Sequence, residues 1–170
     1  MNQLRGRAHK FGDDVNTDYI ISGKYKFKTL DINEMAKHVM EDLRPNFYNE
    51  IEHGDFIVAG RNFGCGSSRE QAPLVLQAAG IGAVLAESFA RVFYRNCINV
   101  GLPALECDTS AIEEGEELQI DLKRGLINIV GKGKVLKAKP LPGVMVRILE
   151  DGGLVEHFKK HGGFMIDEEG

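Results

Sequence analysis

DFIVAGRNFGCGSSREQAPLVLQAAGIGAVLA, residues 55–86, carries four signals in a row. DFIVAG (55–60) is a short apolar run of the kind a buried strand makes. RNFGCGSS (61–68) is a glycine-rich turn. REQAPLVLQAAG (69–80) reads as a helix closed by Gly80, with Pro73 in the first turn, where proline is tolerated. GAVLA (82–86) is a second buried strand. Strand, helix and strand within about thirty residues predict a βαβ unit whose strands run parallel with a right-handed crossover.

Working outward, Ser88 is placed to cap a helix over SFARVFYRNCINVG, closed by Gly101. LPALEC (102–107) predicts a third strand. Residues 113–139 alternate at period two around Arg124–Gly125 and Gly131–Gly133, the pattern of a small antiparallel meander. Pro142 opens a last predicted helix, VMVRILED, stopped by Gly152 and Gly153. On the other side, residues 4–9 predict a strand, and GDDVNTDYII (12–21) a turn followed by a short strand. Residues 22–30 show no usable period and read as a mobile loop. Asp31 with Glu34 has capping-box spacing, so a helix should follow, with Met35, Val39 and Leu43 on one face, ending near Pro45. The pattern is α/β: one domain over residues 1–170, with a parallel core sheet and a small antiparallel β element.

The 170 residues suffice for a real core. The net charge of −4 argues against a nucleic-acid partner, which would want a basic face. No apolar run approaches the ~20 residues of a membrane span, and the N-terminus has no signal-peptide pattern. The three cysteines, Cys65, Cys97 and Cys107, are too sparse for a disulfide framework and fit a reducing cytoplasm. An iron–sulfur cluster usually takes three or four thiolates, so this chain is not expected to hold one by itself.

The chemistry concentrates in GRNFGCGSSRE (60–70). Gly64 and Gly66 open conformations closed to other residues and leave room for a ligand against the main chain. Ser67, Ser68 and Arg69 sit at the predicted helix start, where unpaired N–H groups and the helix dipole favour an anion. Two hydroxyls and a guanidinium suit a carboxylate. The alternative is a plain N-cap at Ser67, completed by Glu70. A phosphate-loop pattern, G-x-x-x-x-G-K-S/T, is absent, and the third glycine of a dinucleotide fingerprint is missing.

GRNFGCGSSREQAPL (60–74), ESFARVFYRNCINVGLPALEC (87–107) and KFGDDVNTDYII (10–21) resemble the small subunits of the isopropylmalate isomerase (3-isopropylmalate dehydratase) and homoaconitase family, which match the swivelling domain of aconitase. The resemblance runs over roughly residues 4–160 and implies an aconitase-type swivelling β/β/α domain. It implies that Ser67 is the base that takes the proton next to a carboxylate, that Arg69 grips a substrate carboxylate, and that Ser68 hydrogen-bonds beside it. It implies a partner, a large subunit holding a 4Fe–4S cluster, and a hydro-lyase that isomerises a hydroxy di- or tricarboxylate. Within the family, Tyr25, Lys26, Phe27 and Lys28 match the loop that contacts the variable group of the substrate. An arginine at the third position of that loop goes with an extra carboxylate, and apolar residues go with isopropylmalate. Here the third position is Phe27, which favours 2-isopropylmalate and leucine biosynthesis. Lys26 and Lys28 keep homocitrate or a methylated malate as alternatives, and a stand-alone anion-binding module is the alternative of another class.

Other residues have simpler readings. Cys65 has no neighbouring histidine and is not expected to be a nucleophile. His157 and His161 have i, i+4 spacing near a chain end and are not expected to bind a metal. Asp13 and Asp14 are expected to cap a turn, while Asn16-Thr17-Asp18 matches a family segment near the site. Arg91 and Arg95 are expected to brace the glycine turn. Phe89, Val92, Phe93 and Ile98 lie at helical spacing and should be core.

Overall fold

In a computed structural model of the protein, residues 3–21, 31–66 and 70–162 are described. The sheet has seven strands in the order β4-β3-β2-β1-β5-β6-β7. β1 (Gln3–Lys10), β2 (Phe56–Ala59), β3 (Ala83–Ala86) and β4 (Ala104–Glu106) are mutually parallel neighbours. β5 (Glu117–Asp121), β6 (Leu126–Ile129) and β7 (Lys134–Lys137) form the meander, and β5 pairs antiparallel with β1. The predicted parallel core and antiparallel element are therefore one continuous mixed sheet.

The two inner parallel strands, β2 and β3, are apolar throughout because both their faces are covered. Successive side chains alternate in direction, so Ile57, Ala59 and Val84 enter one core cluster and Phe56, Val58, Ala83 and Leu85 enter the other. The first cluster is closed by α2 (Ile32–Ala36), α4 (Gln71–Ala78) and α5 (Arg91–Val100) through Met35, Val75, Leu76, Phe93 and Cys97. The second is closed by the meander itself, through Leu118, Ile120, Ile127 and Ile129. The alternation of β5, half-buried at every other position, is the signature of a strand with one face on a core.

Several local expectations change. The short strand expected within residues 12–21 is instead a helical turn, α1 (Thr17–Ile20). Asn16 decides this: its side chain accepts the N–H groups of Asp18 and Tyr19, which a strand would leave unpaired. The helix after Asp31 starts as expected, with the Asp31 carboxylate accepting from the Asn33 N–H at 2.9 Å. It ends at Ala36, however, and Glu34 pairs forward with Lys37 instead of back to the cap. Met35 and Val39 are buried, but Leu43 is 43% exposed, because the chain leaves the helix before reaching it. A further short helix, α3 (Phe47–Glu50), precedes β2. α5 starts at Arg91 with Ala90 at its N-cap, and Ser88 does not cap it. Phe93 and Ile98 are core as expected, whereas Val92 points outward. α6 (Gly143–Glu150) follows Pro142, and a helix not foreseen, α7 (Leu154–His161), follows the two glycines.

Candidate functional site

The glycine-rich turn leaves the carboxyl end of β2 and is held from both sides. On one side lies the segment before α1. The Asp14 N–H donates to the Arg61 carbonyl at 2.8 Å, the Gly64 N–H to Val15 at 2.7 Å, and the Thr17 N–H to Cys65 at 2.9 Å. On the other side lies the segment before α5. The Phe63 N–H donates to Ser88 at 3.1 Å, and the Ala90 N–H returns to Phe63 at 3.0 Å. The turn is thus wedged between two loops by two isolated parallel bridges, Asn16–Cys65 and Phe63–Phe89.

Side chains complete the clamp. Asp13 accepts the Arg61 backbone N–H at 2.7 Å, and that bond is the main reason its carboxyl lies below the ordinary value. Asn62 donates through Nδ2 to Asp14 at 3.1 Å, and its own N–H donates to the Ser88 hydroxyl at 2.8 Å. Asp13 and Asp14 therefore brace a turn 48 residues away instead of capping their own. Beneath it, the buried Phe63 ring meets Phe93 edge-on at 5.3 Å and Phe89 at 6.2 Å. Gly64 and Gly66 both have positive φ, +83° and +87°.

A cavity of ≈ 140 Å³ opens beside this turn, lined among others by Thr17, Gly64, Gly66, Arg91, Phe93 and Asn96. It is walled by glycine backbone on one side and by the first turns of α5 on the other. Arg91, expected to brace the turn, lines this cavity. α4 begins at Gln71, and Glu70 at its N-cap makes no side-chain cap. Ser67, Ser68 and Arg69, and the loop with Tyr25, Lys26, Phe27 and Lys28, lie outside the described residues. The described residues on either side of the first group, Gly66 and Glu70, bound the turn. What the sequence did not disclose is the framework: Asn16 is placed near the site only by resemblance, and Asp13 and Ser88 have no local pattern that ties them to residues 61–65.

The cysteines do not fit a cluster. Cys65 lies in the turn, Cys97 on α5 and Cys107 just after β4. Burial pushes the Cys97 thiol well above its ordinary value, and burial, with Asp108 and Glu87 nearby, raises Cys107 to about 12. Such thiols stay protonated, and a metal needs the thiolate. Among the described residues, the group of ligand-type side chains close enough to share one ion contains no cysteine. Among the same residues, no helix is long and apolar enough to cross a membrane.

The aconitase C-terminal domain model matches residues 14–110, the span from the Asp14 brace to the end of the parallel sheet. The chain is 56% identical over 164 residues to 3-isopropylmalate dehydratase small subunit 2 of Archaeoglobus fulgidus, covering 96% of this chain and 99% of that protein. It is 53% identical over 157 residues to the methanogen homoaconitase small subunit of Methanothermobacter thermautotrophicus, covering 92% and 91%. The crystal structure of 3-isopropylmalate dehydratase from Methanocaldococcus jannaschii superposes with a TM-score of 0.89 at 49% identity, covering 94% of this chain and 95% of that one. With this family match, this identity and a superposition that covers nearly all of both chains, the chain belongs to the aconitase C-terminal domain family, in its group of 3-isopropylmalate dehydratase small subunits.

Proposed function

We propose that this chain is the small subunit of a two-subunit hydro-lyase that isomerises 2-isopropylmalate to 3-isopropylmalate by dehydration and rehydration, in the cytoplasm and in leucine biosynthesis. The observation that carries this reading is the end-to-end match to small subunits so named, at 56% identity for one of them. In this reading residues 1–170 act as one swivelling unit docked on a large subunit. The 4Fe–4S cluster belongs to that partner, and no residue of this chain ligates it.

Dehydration removes a proton and a hydroxyl from neighbouring carbons, and this chain handles the proton. Ser67 takes it from the carbon next to a carboxylate and returns it on rehydration. A serine hydroxyl is a poor base unless its alkoxide is stabilised, so nearby N–H groups and the Arg69 guanidinium must carry charge there. Arg69 fixes a substrate carboxylate by a bidentate grip, and Ser68 hydrogen-bonds beside it. Phe27 gives an apolar surface for the isopropyl group, flanked by Tyr25, Lys26 and Lys28. The braces of Asp13, Asn16 and Ser88 support this reading, because a base works only if the turn carrying it is held rigidly.

A second reading, homoaconitase, is favoured by the 53% identity to a methanogen homoaconitase small subunit and by Lys26 and Lys28 beside Phe27. The deciding experiment mixes this chain with its large-subunit partner, reconstitutes the complex with iron and sulfide without oxygen, and follows alkene absorbance. Isopropylmalate, homocitrate, citramalate and dimethylmalate are offered in parallel. Turnover confined to isopropylmalate, abolished by Ser67→Ala in a complex that still assembles, is the expected result. Turnover mainly of homocitrate would transfer the reading to homoaconitase. A well-formed complex inactive on all four would move it to a substrate outside these four or to an anion-binding module.

A further inference from the structure

α6 and α7 carry a side-chain cluster remote in sequence from the glycine turn. α6 ends at Glu150 with Asp151 at its C-cap, and Gly152 and Gly153 follow with φ of +89° and +121°. A Cβ on Gly153 would collide with the backbone of residues 99–101, so only glycine fits where α7 turns back. The reversal brings His157 and His161, one helical turn apart, onto the same carboxylate. His157 Nδ1 lies 2.7 Å and His161 Nε2 3.1 Å from the same atom, Asp151 Oδ2. Lys160 Nζ lies 3.1 Å from the other oxygen, Oδ1.

Three donor atoms, two imidazole nitrogens and one carboxylate oxygen, thus converge within 4.8 Å of one another. In a tetrahedral site with metal–ligand bonds of about 2.0–2.2 Å, neighbouring donors stand roughly 3.3–3.6 Å apart. The two donor distances to Oδ2 need to widen by less than about 1 Å to admit an ion. The set is also anchored unevenly. The His157 side chain is fully buried and that of Asp151 is 8% exposed, whereas that of His161 is 21% exposed, which leaves a side open for entry and for a water as fourth ligand. Inside, His157 Nε2 is buried without a hydrogen-bond partner, so Nδ1 is the ring's polar outlet and it faces Asp151.

We propose that Asp151, His157 and His161 form a binding site for a divalent transition ion of zinc type, which staples α7 to the end of α6. Two imidazoles and one carboxylate on a tetrahedral template select zinc-like ions over magnesium or calcium, which prefer oxygen ligands. Lys160 stays on Oδ1, outside the donor set, and orients the carboxylate from behind. This site is separate from the dehydratase reading and is tested on the full chain alone.

The full chain is stripped with a chelator and titrated with zinc chloride by calorimetry. Cobalt(II) is then added as a spectroscopic probe. One equivalent of zinc, tetrahedral cobalt absorption and a zinc-dependent rise in Tm are expected. His161→Ala removes a partly exposed ligand and Asp151→Asn removes the charge, and each should weaken binding by about 10-fold or more. Far-UV circular dichroism of the metal-free variants confirms that each is folded, and His161→Gln serves if His161→Ala is not. Absence of saturable zinc uptake would overturn the proposal and leave a hydrogen-bonded clamp. So would uptake that none of the variants changes, because the ion would then sit elsewhere.

Discussion

Gly64 packs against the side chain of Phe93: a Cβ on that glycine would fall 2.1 Å from the Phe93 Cγ and 2.5 Å from its Cβ and Cδ2, and its φ of +83° is one that L side chains rarely adopt. The turn that bounds residues 67–69 is therefore fitted to the core beneath it. Gly64→Ala should cost roughly 2–4 kcal/mol through overpacking and left-handed strain. Thermal unfolding of the isolated chain measures this. Turnover of the assembled enzyme should fall further than the stability loss alone accounts for, because the same shift moves the turn.

Asn16 caps α1 and pairs its backbone with Cys65 in the turn. Asn16→Ala loses the two N–H bonds to Asp18 and Tyr19, worth about 1 kcal/mol. Asn16→Asp, which keeps the cap, should restore the stability. If Asn16 positions the site, the alanine variant lowers kcat of the complex more than it raises KM for isopropylmalate. An unchanged kcat would confine Asn16 to stability.

Asp55 is buried at the start of β2 and faces the buried His9 of β1, with His9 Nε2 2.7 Å from its Oδ2. It also accepts the N–H groups of Arg7 and Glu52 at 3.1 and 3.0 Å. Burial alone would raise its carboxyl, but the His9 bond and these two N–H groups outweigh that and leave it lowered. A carboxyl held lower when folded adds stability above its unfolded pKa and loses it as pH falls through the folded one. Denaturant titrations should show stability declining below about pH 4. Asp55→Asn should flatten that decline and cost roughly 2–4 kcal/mol at neutral pH.

Phe27→Arg tests the substrate side of the proposed function. A guanidinium in place of the ring should cut kcat/KM for isopropylmalate by about 10-fold or more and raise it for homocitrate. Competition between the two substrates, with alkene absorbance as readout, gives the ratio directly. An unaltered ratio would remove Phe27 as a specificity residue.

Arg69→Lys should mainly raise KM, because a lysine cannot make the bidentate grip. Steady-state kinetics on the reconstituted complex separate this from a loss of kcat. Unchanged kinetics would rule out the grip.

The strand–turn–helix–strand unit over residues 55–86 could be read directly, since buried parallel strands are continuous apolar runs and the glycines mark the turns. The meander could be read for a related reason, as β5 and β6 alternate at period two over a single core face. α1 could not be read as a helix, because four residues carry no period and Asn16 announces a cap only once the chain has turned. The end of α2 was equally hidden: Leu43 sits at helical spacing but the chain leaves the helix at Ala36, with Met40 at a positive φ.

The sequence by itself determined the run β2-α4-β3-α5-β4 and the meander after it, the glycine turn, the serine and arginine residues that follow it, and the family. These are local patterns of period, composition and spacing. Only the tertiary structure decided which distant segments clamp that turn. Asp13 meets Arg61 and Asn62 meets Ser88 because β1, β2 and β3 lie side by side and end at the same edge of the sheet. It also decided that Asp151 completes the His157–His161 pair, through a reversal that two glycines permit and the packing of α6 and α7 against α5 fixes. Contacts of this kind form when the chain closes on itself, and no window of the sequence contains both partners with the packing that joins them.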